Sequence, residues 1–259
     1  MQKYLLLTFD LEEFNLPLEF GERIEYNEMF SISYKGLLKV LKILDKSDIK
    51  ATFFATLAFG QRFPKMINKI VNKGHEIALH YSLNSGEFTN NILEEKTKLE
   101  DIIGIKILGL RTHKLKVPPF KLLKKIGFEY DSSIHPTFVP GRYNYYSYST
   151  VPYRIEKILE IPISVTPFLR LPFSFIWFRI IGLSYSKFCT LFTAINREFI
   201  NLYFHSWEFT DITKFQIPFY IKRNCGDYMM RKMKNYINWC LNENLKPITI
   251  LNFIKCLHL

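Results

Sequence analysis

The feature that most limits how this chain can fold is its alternation of short apolar runs with amphipathic ones. Lys3 to Phe9 is apolar and aromatic, as a strand covered on both faces should be. Ser31 to Lys46 then reads as a helix, with Ile32, Leu37, Leu38, Val40, Leu41 and Leu44 at helical spacing. Ala51 to Ala55 is a second strand, and Pro64 to Lys73 a helix that Gly74 stops. Glu76 to Leu79 reads as a third strand, followed by a helix from Asn91 to Ile103. Lys106 to Leu110 is a fourth strand, and Pro119 to Ile126 a helix ended by Gly127. Ile158 to Val165, Leu202 to His205 and Pro247 to Ile250 supply further strands, and Tyr228 to Asn242 is the clearest late helix. This order implies an α/β fold with a parallel sheet, open or closed into a barrel. No linker-like stretch divides the 259 residues, so a single domain over residues 1–259 is expected.

In such folds the chemistry gathers at the C-terminal ends of strands. The polar residues there are Asp10 and Glu12, His80, Arg111 with His113, Asp131, and His205. Asp10, Glu12 and Glu13 follow one strand so closely that they repel unless a metal, an arginine or a proton joins them. The alternative is that they merely solvate the strand exit. Carboxylates with histidine form a ligand set for zinc or a similar ion, and Glu12 and His80 can supply two ligands. His80 and Asn84 are four residues apart and share a face if that segment is helical. Asn84 is a poor ligand, however, and a lone histidine is more often structural.

The formal charge of +11 draws the chain toward polyanions. No motif of a nucleic-acid-binding module is present, so a membrane surface or lipid phosphate ranks above nucleic acid. Cys189, Cys225, Cys240 and Cys256 form no C-x-x-C pair, which argues against a zinc ribbon and leaves four reduced, mostly buried thiols. The N-terminus runs straight into the first strand, so no signal peptide is read. Pro167 to Leu183 is strongly apolar but interrupted by Arg170, Pro172 and Arg179, and its uninterrupted part is too short to span a bilayer. It is either a buried loop and helix or an interfacial segment with Trp177 and flanking arginines.

Six pieces taken in order resemble the polysaccharide deacetylase superfamily (NodB homology, carbohydrate esterase family 4). They are LTFDLEEF, TFFAT, GHEIALH, GLRTH, the DSS at Asp131, and FHSWEF. The opening is similar to a branch with T-F-D-x-E rather than T-F-D-D. GHEIALH after TFFAT is the fairly specific pairing, and the resemblance spans roughly residues 3 to 210. It implies a distorted (β/α) barrel of about seven parallel strands, in accord with the alternation.

The resemblance also implies metal-dependent removal of an N-acyl group, such as acetyl, from an amino sugar. By it, Asp10 is the base, Arg111 orients that base and His205 is the acid. The ion, zinc or another divalent metal, would be held by Glu12, His80 and Asn84. Two departures stand out. Leu11 occupies the place of the family's second carboxylate, so Glu12 is its replacement. Asn84 stands where the second histidine belongs, and His113 offers another approach to the ion. His113, Asp131, His135, Arg142 and Trp207 are expected to contact substrate, though His135 could instead only order its loop. Together these point to an N-deacetylase of surface glycan or lipid-linked sugar biosynthesis. It would be cytoplasmic, peripheral on the inner membrane face, with no nucleic-acid partner. The alternative is a catalytically weakened glycan-binding or scaffold protein on the same barrel, a reading that Asn84 favours.

Overall fold

The computed structural model describes residues 2–82 and 91–257. Its strands are β1 (Lys3–Leu11), β2 (Thr52–Ala55), β3 (Glu76–Tyr81), β4 (Gly109–Thr112), β5 (Tyr130–Asp131), β6 (Phe138–Val139), β7 (Tyr143–Asn144), β8 (Tyr153–Ile155), β9 (Ile158–Glu160), β10 (Phe199–His205) and β11 (Leu245–Pro247). One curled sheet runs in the order β10-β1-β2-β3-β4-β5-β9-β8. The path from β10 to β9 is parallel throughout, and β8 turns back antiparallel on β9. The short β11 adds to the start of β1, while β6 and β7 form a separate hairpin. The expected distorted α/β barrel is the fold found. It closes without a ladder: the Ser164 N–H donates to the Asn201 carbonyl, and the Asn201 side-chain amide donates to the carbonyls of Ile161 and Pro162.

Strand alternation sorts the residues between two environments. Leu5, Leu7, Phe9 and Leu11 of β1 pack outward with Val40, Leu41 and Leu44 of the helix Tyr26–Lys46. Leu6 faces inward, in one cluster with Phe54, Ala78, Tyr130, Leu159 and Phe199. That cluster fills one end of the barrel. Above it lies a polar layer in which Arg111 donates to the Thr8 hydroxyl, and Asn201 to the Ser132 hydroxyl. The barrel interior therefore changes from apolar to polar along each strand, toward the strand C-termini.

Several boundaries differ from those read in the sequence. The ladder of β9 covers only Ile158–Glu160, because Pro162 cannot donate a ladder hydrogen bond. Pro247 to Ile250 is not a strand: β11 ends at Pro247, and Thr249 caps the helix Ile250–Cys256 by accepting from the Asn252 N–H. Pro167 to Leu183 contains a short helix, Phe175–Ile181, that leads through Gly182 into the helix Leu183–Asn196. The two arginines read as interfacial flanks work internally. Arg170 donates to the carbonyls of Pro136 and Tyr148, and Arg179 is buried against Glu208. Internal bonds thus account for the two arginines, while Phe168 and Leu169 of the same segment are exposed. No helix among the described residues is long and apolar enough to cross a membrane. All four cysteines are free thiols; Cys189 and Cys240 are buried, Cys225 is half-buried and Cys256 exposed.

Candidate active site

A cavity of about 340 Å³ opens at the C-terminal ends of the strands. Asp10, Glu12, His80, His113 and His205 converge in it from four strand ends. The register explains the convergence: Asp10 pairs with His205 across β1 and β10, and His80 with Arg111 across β3 and β4. The period of two also explains why Glu12 and not Leu11 serves the site. Asp10 faces inward, Leu11 packs into the outer core, and Glu12 returns to the inside.

Two adjacent clusters share the cavity floor. In the first, Glu12 Oε2 lies 3.2 Å from His80 Nε2 and 2.9 Å from His113 Nδ1. One ligand atom from each of these residues lies within 4.8 Å of the other two. Burial opposes ionisation of Glu12, but His113, His80 and His205 outweigh it and hold the carboxyl well below its usual range. Burial likewise disfavours the His80 cation, and the charges of Asp10 and Glu12 reverse this and raise its pKa.

In the second cluster Asp10 Oδ1 accepts from Arg111 Nη1 at 2.9 Å. Arg111 is fully buried and spends its other donors on the Ser132 carbonyl, the Ser132 hydroxyl and the Thr8 hydroxyl. Its guanidinium also lies over the Phe54 ring. The single Nη1 bond fixes one Asp10 oxygen and leaves Oδ2 free of the arginine. His205 Nε2 stands 3.8 Å from Asp10 Oδ2 and 3.7 Å from Glu12 Oε1. Behind it, Glu208 Oε1 accepts the His205 backbone N–H at 2.7 Å and lies 3.3 Å from Nδ1. The other Glu208 oxygen accepts from Arg179 Nε at 2.5 Å. Burial pulls the His205 pKa down, but Glu208, Glu12 and Asp10 prevail and raise it.

Trp207 and Arg142 line the cavity, as does His113. Asp131 does not. Strand alternation puts Tyr130 and the Ser132 hydroxyl on the inside, and Asp131 binds the Ser133 N–H and hydroxyl beside Glu160. Its expected substrate contact is therefore corrected to a structural role. His135 is also fully buried behind the cavity wall: the Tyr143 hydroxyl lies 2.8 Å from its Nδ1, and Trp177 and Tyr203 pack edge-on against its ring. The carboxylate of Glu13 turns away and accepts from Thr56. Asn84 lies outside the described residues. The sequence reading missed the aromatic wall formed by Tyr143, Phe175, Trp177 and Tyr203, and the Arg179–Glu208 pair. Glu208 did carry a signal: an acid three residues after His205 can reach back to its N–H as in a capping box.

Residues 2–113 match the polysaccharide deacetylase family. No curated protein matches the chain. Three solved structures share its fold at low identity. One, from Mycobacterium smegmatis and assigned as a polysaccharide deacetylase, is 19% identical with a TM-score of 0.67, the match covering 98% of this chain and 90% of that one. Another so assigned, from Pseudomonas aeruginosa PAO1, is 16% identical at TM-score 0.67, over 97% and 89% of the two chains. PuuE allantoinase is 17% identical at TM-score 0.67, again over 97% and 89%.

Proposed function

From the match of residues 2–113 to the polysaccharide deacetylase family, we propose a metal-dependent N-deacetylase. It removes an acyl group from an amino sugar, and its place is surface glycan or lipid-linked sugar biosynthesis. One observation carries this reading. A carboxylate oxygen and two imidazole nitrogens converge on one point, beside a carboxylate locked by a buried arginine and a histidine backed by a glutamate.

The first cluster fits a divalent ion. Glu12, His80 and His113 provide one oxygen and two nitrogens, the donor set of three-ligand zinc sites that leave a position open. Their mutual approach also places an ionised carboxylate between two imidazoles, where a cation is favoured. His113 thus supplies the imidazole missing at Asn84, which weakens the case for a non-catalytic scaffold. When bound, the ion would polarise the acyl carbonyl and lower the pKa of water.

The chain's own residues do the rest. Arg111 holds one oxygen of Asp10, so that the free oxygen can take the proton of the attacking water. The water oxygen bonds to the acyl carbon, and the carbon–nitrogen bond breaks. His205, whose pKa Glu208 and the neighbouring acids raise against the effect of burial, gives a proton to the leaving amine. The Trp207 and Phe175 rings pack on the His205 ring and limit water around it.

The test combines elemental analysis with amine release from N-acetylated amino sugars. Near-stoichiometric ion is expected in chelator-free protein. Asp10→Asn should keep the ion and lose turnover by about 100-fold or more. An Asp10→Asn protein that turns over like the parent would exclude Asp10 as the base.

A further inference from the structure

The hairpin of β6 and β7 carries two cavity residues with no role in the steps above, Arg142 and Tyr143. Gly141, in a left-handed conformation at φ 74°, turns the chain between the strands. Lys114 also lines the cavity, but Glu19 neutralises it at 3.0 Å. Arg142 differs, since its guanidinium has no carboxylate or hydrogen-bond partner among the described residues. It lies close enough to the Tyr143 and Tyr203 hydroxyls to favour their ionised forms.

Tyr143 stands beside Arg142. Burial raises its hydroxyl pKa, so it keeps its proton. Its oxygen lies 2.8 Å from His135 Nδ1, and burial and the charge of Arg111 push the His135 pKa down to about 3. The other His135 nitrogen is buried and has no partner, so the histidine's one hydrogen bond goes to this phenol. Arg142 is exposed at the cavity wall with no protein acceptor for its guanidinium among the described residues, and the Tyr143 phenol lines the same wall, so an anion with several oxygens can meet both.

Resting on the deacetylase reading, we propose that Arg142 and the Tyr143 hydroxyl form an anion subsite in this cavity, so that the acylated amino sugar it takes carries a phosphate. A phosphate has oxygens for a guanidinium fork and a hydroxyl together. The same group could belong to a free sugar phosphate or to a lipid-linked one.

The test compares kcat/KM of the zinc-loaded protein on three compounds: methyl N-acetylglucosaminide, N-acetylglucosamine 1-phosphate, and the prenyl phosphodiester of the same sugar in detergent. The expected result is a preference of about tenfold or more for one or both phosphorylated compounds over the neutral one. The phosphorylated compound preferred identifies the source. Arg142→Gln should reduce the phosphorylated-to-neutral ratio by about tenfold, and Tyr143→Phe by less. A ratio near one in the parent, or one unchanged in Arg142→Gln, overturns the subsite. If no compound is hydrolysed, the deacetylase reading fails separately, and the subsite is read by quenching of Trp177 and Trp207 fluorescence. Sugar phosphate binding about tenfold tighter than the neutral sugar, with that preference lost in Arg142→Gln, supports it. Equal binding of the two sugars overturns it.

Discussion

At the scale of the residue, the site depends on side chains tied down by several bonds at once. Arg111 is the clearest: it is buried, and every neighbour it bonds is fixed by the sheet. Arg111→Met would leave the Asp10 charge buried without its arginine partner, a change that costs roughly 3–5 kcal/mol. Arg111→Lys keeps the charge but not the fork, so it should recover part of the melting temperature and little of the turnover. Thermal melts beside kinetics on both variants check this; equal turnover in the lysine variant and the parent would refute the orienting role. His113→Ala should weaken ion binding about as strongly as His80→Ala, by 10-fold to 100-fold or more, read by competition with a chromogenic chelator. Asp10, His80, Arg111 and His205 were legible because each closes a strand that reads as apolar. His113 was legible from the same strand end as Arg111: two residues past that inward-facing side chain, it faces the same side. Asp131 misled because sequence spacing does not say which face of a two-residue strand turns inward.

At the scale of the element, the acid histidine is set by the contact of the helix Tyr26–Lys46 with the turn Ser206–Phe209. Gly36 is where they meet: a Cβ there would lie 1.9 Å from the Ser206 carbonyl oxygen. Backbone cannot swing aside as a side-chain end does, so Gly36→Ala must part helix and turn. Overpacking of this kind costs about 1–3 kcal/mol. The turn also holds Glu208 under His205, so turnover should fall further than the lost stability explains, with ion binding retained. Turnover that tracks the folded fraction alone would show that the turn tolerates the shift. The long amphipathic helices were readable because one face meets the sheet and the other meets water. Phe175–Ile181 was not: Phe175, Phe178 and Arg179 do fall on one face, but Ile176, Trp177, Ile180 and Ile181 on the other positions are apolar too, so no polar face marks the period. Strands such as β6 and β7, two residues each, are set by the turn between them rather than by any hydrophobic pattern.

At the scale of the whole molecule, the barrel class followed from alternation, while the overall charge says nothing of which groups the fold can keep charged. The charge that matters to stability is instead the one the interior refuses. His75 sits at the entry to β3, where its Nδ1 accepts from the Ala51 N–H, and burial followed by the charge of Lys50 pushes its pKa down to about 4. His135 is pushed down to about 3. Both are neutral in the folded chain, while in the unfolded chain each takes up a proton near pH 6.5. Between those limits the unfolded state binds more protons, so stability rises with pH there. The contribution is complete above pH 6.5 and is lost as pH falls toward 4 for His75 and toward 3 for His135. Each pKa unit is worth about 1.4 kcal/mol, and for a chain of this size 1 kcal/mol moves the melting temperature by roughly 2–4 °C. Carboxylates elsewhere add their own slope, so the comparison is between parent and variant. His75→Gln keeps an acceptor for Ala51 but cannot be protonated. Its melting temperature should be lower than the parent's at pH 7, and the gap should narrow by a few degrees by pH 5. A gap that stays constant across this range would mean that His75 takes up its proton equally in both states, and that neutrality at this joint between β2 and β3 is not what burial imposes.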